Sequence, residues 1–96
     1  MMEIKKVQEA VIAKYGKTNQ TFVAIEEMSE LVKELTKNMR GEHNRNAIVE
    51  ELADVYIVLD QIMIIHGIDL DDVVKKMNEK AQRTADRLEG ETDESV

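Results

Sequence analysis

Residues 48–66, IVEELADVYIVLDQIMIIH, decide the fold. Placed at about 100° per residue, Ile48, Val49, Leu52, Val55, Tyr56, Ile57, Val58, Leu59, Ile62, Met63, Ile64 and Ile65 cover nearly the whole circumference of a helix. A helix that is apolar all round has to be surrounded. The other segments of a 96-residue chain hardly suffice to enclose it. The stretch therefore predicts an all-α protein: a four-helix chain forming an intersubunit helical bundle, with this helix at the subunit interface.

Working outward, Gly16, Gly41, Gly67 and Gly90 each follow an apolar-periodic segment, as glycines just past helix ends do. Thr18 or Asn19, Asn44 or Asn46, and Asp69 are suitable N-caps. Helices are expected at 2–15, 19–39, 46–66 and 69–89. The domain is expected to span 1–89, with 90–96 (GETDESV) a disordered acidic tail. Helix 2 carries an apolar stripe of Ile25, Met28, Leu31, Val32, Leu35 and Met39, and helix 4 one of Leu70, Val73, Val74, Met77, Ala81 and Leu88. The three aromatics, Tyr15, Phe22 and Tyr56, are expected in the core rather than stacked on a base.

Composition closes off several classes of function. There is no Cys, so neither a disulfide nor a thiolate metal site is available. The net charge of −7 argues against binding a nucleic acid polymer. No apolar run reaches the roughly 18–20 residues needed to span a membrane, and no secretory signal is visible. A cytoplasmic protein is the expectation.

One feature of helix 3 is anomalous. Glu51 and Asp54, spaced i, i+3, share a side of the helix with Val58 and Ile65. Two carboxylates in apolar surroundings lose hydration and repel each other. Buried basic partners, protonation or a metal ion must offset that cost. Helix 2 offers the complement: Glu26, Glu27 and Glu30 form EExxE. In an antiparallel hairpin turning at Gly41, Glu27 and Asp54 lie at matching heights, as do Glu30 and Glu51. Four carboxylates without an interleaved base make an all-oxygen site for hard divalent cations such as Mg²⁺.

Helix 4 carries Lys76, Lys80, Arg83 and Arg87 at i, i+4, i+7, i+11, a continuous basic stripe beside its apolar face. Such a stripe can grip a polyphosphate. Equally, its stems can lie along the core edge with their heads in water.

AIEEMSELVKEL (24–35) followed by IVEELADVYIVLDQI (48–62) resembles the MazG-like all-α nucleoside triphosphate pyrophosphatases, whose motif is EExxE, a spacer, then ExxD. Here the spacer is 20 residues, and the likeness in helix order runs from about residue 2 to 88. The resemblance implies a Mg²⁺-dependent hydrolase, with Mn²⁺ as a possible substitute, that converts a nucleoside triphosphate to the monophosphate and pyrophosphate. It implies Glu27, Glu30, Glu51 and Asp54 as metal ligands. Glu26 would be a further ligand or, with Glu30, a base for the attacking water. Lys76, Lys80 and Arg83 would correspond to basic residues near the phosphates. Dimers or tetramers with the site near a subunit interface are implied as well. Three rivals stand beside this reading: a phosphoribosyl-ATP pyrophosphatase of histidine synthesis, a non-enzymatic helical oligomerisation module, and a metal-binding regulator without turnover.

Overall fold

Two long antiparallel helices form the centre of the molecule. The computed structural model describes residues 3–94, with side chains through Glu91. Its elements are α1 (Ile4–Tyr15), α2 (Lys17–Met39), α3 (Arg45–His66) and α4 (Leu70–Glu94). No strand is found among the described residues, so the all-α expectation holds. α2 and α3 pack along their lengths, and α1 lies against both. Ala24 is fully buried in the seam, where its small side chain lets the two helices approach; Val55 and Val58 close it from α3. Asn44 ties the hairpin's end, donating from Nδ2 to the Glu34 carbonyl oxygen at 2.8 Å.

The helix ends follow the glycines, with differences. Gly67 adopts φ +61, the left-handed conformation that ends α3 and turns the chain into α4. Gly16 separates α1 from α2 so tightly that α2 begins at Lys17, and Thr18 and Asn19 lie inside the helix instead of capping it. Gly90 does not end α4. The helix continues through it to Glu94, so the part of the expected acidic tail up to residue 94 is helical. Residues 95 and 96, and Met2 at the expected start of helix 1, lie outside the described residues.

α4 stands away from the other helices and makes no substantial packing contact with them. The radius of gyration is accordingly 17.8 Å, against about 12.5 Å for a compact chain of this length. Much apolar surface stays open: Leu70, Val74, Met77 and Leu88 on α4, and Leu52, Tyr56, Ile57 and Leu59 on α3. The three aromatics are not core residues. Tyr15, Phe22 and Tyr56 are all exposed, Tyr56 by 74%. The expected apolar stripe of α2 is also turned partly outward, with Ile25, Val32, Leu35 and Met39 exposed. The seam instead takes the face that carries Gln20, Ala24 and Glu27.

Candidate metal centre

The α2–α3 seam brings acids from both helices together. One oxygen each from Glu27, Glu51 and Asp54 lies within 4.8 Å of the others. Glu27 and Glu51 are half-buried, and Asp54 opens to solvent. Glu51 Oε2 is sealed from solvent and has no hydrogen-bond partner among the described residues. A buried carboxylate oxygen in that position costs free energy that only a donor or a cation recovers.

The electrostatics agree with the geometry. Burial, then the charges of Asp54 and Glu51, hold the Glu27 carboxyl above its ordinary value. Glu51 is raised for the same leading reason, then by Asp54 and Glu30. Glu34, one turn further along α2, behaves oppositely. Hydrogen bonds from Lys37 and Asn44 lower it, and Lys37 Nζ pairs with it at 3.1 Å. Among the described residues no ion pair reaches Glu27, Glu51 or Asp54. The donor set is therefore all oxygen and acidic, with no ion-paired base among the described residues. It fits a hard divalent cation.

Glu30 is not among the three converging acids. It is exposed one turn beyond Glu27, close enough for its charge to act on both Glu27 and Glu51. Glu26 is exposed beside them on α2. On α4, Lys80, Arg83, Thr84 and Arg87 line a shallow surface hollow. Lys76 belongs to the same row but is paired with Glu79 at 2.9 Å. α4 makes no substantial packing contact with the acidic helices within one chain.

The residues that sequence reasoning passed over are Gln8, Gln20 and Gln61, all buried in the three-helix junction. A signal was present: Gln61 is an amide within the apolar run of α3.

An antiparallel hairpin that presents converging carboxylates beside a buried, unpartnered oxygen defines an all-α protein of the acidic-hairpin kind. Residues 16–88, three quarters of the chain, match the family model described as the MazG nucleotide pyrophosphohydrolase domain. The chain belongs to that family. The match covers α2, α3 and most of α4 and leaves α1 outside. No curated protein and no solved structure matches the chain.

Proposed function

We propose that this protein is a Mg²⁺-dependent nucleoside triphosphate pyrophosphohydrolase, cleaving an NTP or dNTP to the monophosphate and pyrophosphate. The observation that carries the reading is the meeting of Glu27, Glu51 and Asp54 beside the orphaned Glu51 Oε2. In this reading those three residues hold the cation and Glu30 completes the set. Bound Mg²⁺, or Mn²⁺ in its place, supplies neutralising charge and polarises the phosphate oxygens.

The chain's own groups then divide the work. Glu26 and Glu30, exposed next to the cluster, orient a water and accept its proton. The water oxygen bonds to the α-phosphorus as the bond from that phosphorus to the bridging α–β oxygen breaks, and pyrophosphate leaves. Lys76, Lys80, Arg83 and Arg87 hold the phosphates and stabilise the charge of the leaving group. The open apolar surfaces of α3 and α4 support a homo-oligomer, dimer or tetramer, in which they are covered. No described helix is long and apolar enough to cross a membrane, and a cytoplasmic site of action suits a nucleotide substrate.

The test is pyrophosphate release, with Mg²⁺, across canonical, deoxy and damaged nucleoside triphosphates and phosphoribosyl-ATP. Release from a triphosphate, absent in EDTA, supports the proposal. Nucleotide binding without release throughout the panel rejects it.

A further inference from the structure

The three-helix junction holds a buried polar chain that the proposed chemistry does not use. Gln20 Nε2 donates to Gln61 Oε1 at 2.9 Å, Gln61 Nε2 to Gln8 Oε1 at 2.6 Å, and Gln8 Nε2 to the Ile57 carbonyl oxygen at 3.0 Å. The side chains come from α2, α3 and α1, and are 5%, 4% and 3% exposed. Ordering each long amide costs rotamer entropy. Replacing bonded polar partners with apolar groups of similar shape is often neutral or stabilising. The amides therefore add little stability that Leu or Met would not. What they add is direction.

α3 lacks direction otherwise. Its apolar positions run around the whole circumference, so burial alone does not select the face turned toward α2. Between Val55 and Ile65 the polar side chains are Tyr56, Asp60 and Gln61, and of these Gln61 alone is buried. Gln61 lies seven residues after Asp54, and Gln20 seven residues before Glu27. Seven residues are about two turns, or about 10 Å, and return to nearly the same face. Gln20–Gln61 and Glu27–Asp54 are thus equivalent rungs of one antiparallel seam. Rotating or sliding α3 by one position breaks the amide chain and carries Asp54 and Glu51 away from Glu27.

We infer that Gln20, Gln61 and Gln8 form a register lock, positioning residues that fix the rotation and height of α3 so that the carboxylates meet. Polar side chains in an otherwise apolar seam serve this purpose elsewhere. The functional meaning of the lock rests on the metal-site reading, but its test does not.

The chain has no Cys, so Glu27→Cys/Asp54→Cys installs one cross-linkable pair. Its rate of disulfide formation is measured with and without Gln61→Leu. In parallel, Mn²⁺ binding is followed by paramagnetic resonance in chains that keep both acids. A volume-matched Gln20→Met/Gln61→Met variant covers a failure of Gln61→Leu to fold. The lock predicts retained helicity, a melting temperature lowered only as far as the amides left unpaired require, cross-linking slowed about tenfold or more, and Mn²⁺ bound about 10–100-fold more weakly. Unchanged cross-linking in a folded variant overturns it. So does loss of folding in both variants, because the amides would then carry stability rather than alignment. Failure of the unsubstituted chain to bind Mn²⁺ removes the metal reading, while the cross-linking comparison still decides the lock.

Discussion

Glu27 and Asp54 meet across the α2–α3 seam, each bringing a carboxylate oxygen within 4.8 Å of the other and of one from Glu51. Glu51 completes the group with a buried oxygen, Oε2, that has no hydrogen-bond partner among the described residues. The helical hairpin thus holds an electrostatic conflict in its own seam, and the responses to pH, metal and substitution follow from it.

The first response is to acid. Glu27 and Glu51 titrate above their ordinary value of 4.5. Between that value and the raised one, the folded chain binds more protons than the unfolded chain. Their contribution to stability is therefore largest in acid and falls as pH rises through this window. Glu34, lowered by Lys37 and Asn44, works in the opposite sense: its contribution is lost as pH falls through its depressed value. Melts in EDTA separate the two. The wild-type melting temperature minus that of Glu27→Gln/Glu51→Gln should decline from pH 4.5 upward. A difference independent of pH contradicts the assignment.

Metal should reverse the conflict. A cation that binds only the folded chain stabilises it by about 2.7 kcal/mol at a hundredfold excess over Kd. Calorimetric melts with millimolar Mg²⁺ or Mn²⁺ should shift upward relative to EDTA, and Ala at Glu51 and Asp54 together should abolish the shift. An unchanged melting temperature in the wild type means that the cluster holds no cation without substrate.

Neutralising one acid of the cluster separates activity from folding. Glu51→Gln and Asp54→Asn should each cut Mg²⁺-dependent pyrophosphate release by more than about a hundredfold, beyond what an outer-sphere change costs. Each should leave the metal-free chain equally or more stable, because repulsion is relieved. A purely structural module would show the stability gain with no activity to lose.

α4 provides a test of assembly. Val74→Glu/Met77→Glu places charge on its open apolar face and should lower the sedimentation-derived mass from an oligomer to a smaller species. If the wild type already sediments as a monomer at micromolar concentration, the exposed faces have another role.

The tie at the hairpin's end is local. Asn44→Ala removes the 2.8 Å bond to the Glu34 carbonyl and a longer one to its carboxylate. A loss of about 1 kcal/mol in denaturant unfolding is expected. No loss would mean that water replaces the amide fully.

Much of this architecture was legible in the amino-acid order. Apolar period and glycine spacing placed four helices, and the acid spacing on helices 2 and 3 pointed to Glu27, Glu30, Glu51 and Asp54, of which Glu27, Glu51 and Asp54 converge while Glu30 stays exposed beside them. The rotation of α2 was not legible. Its most hydrophobic stripe, from Ile25 to Met39, turns partly outward, because Gln20 and Glu27 occupy the seam with the small Ala24 between them. Hydrophobicity ranks faces by oil content, whereas close approach and amide pairing decided this one. The placing of the aromatics was not legible either: expected in the core, Tyr15, Phe22 and Tyr56 lie on faces that a single chain leaves open. Gly90 was read as a stop, but glycine only permits a helix to end, and α4 continues through it.

The corner at Gly67 has a consequence for the lifetime of a lone copy. Beyond it, α4 extends with nearly all its described side chains in water, so a protease reaches this arm before it reaches the hairpin. A cut there would remove the cationic row and spare the acids, and on the proposed reading would leave a stump with the metal ligands but without the groups that hold phosphate. Degradation of unassembled copies would then silence the enzyme well before it destroyed the fold.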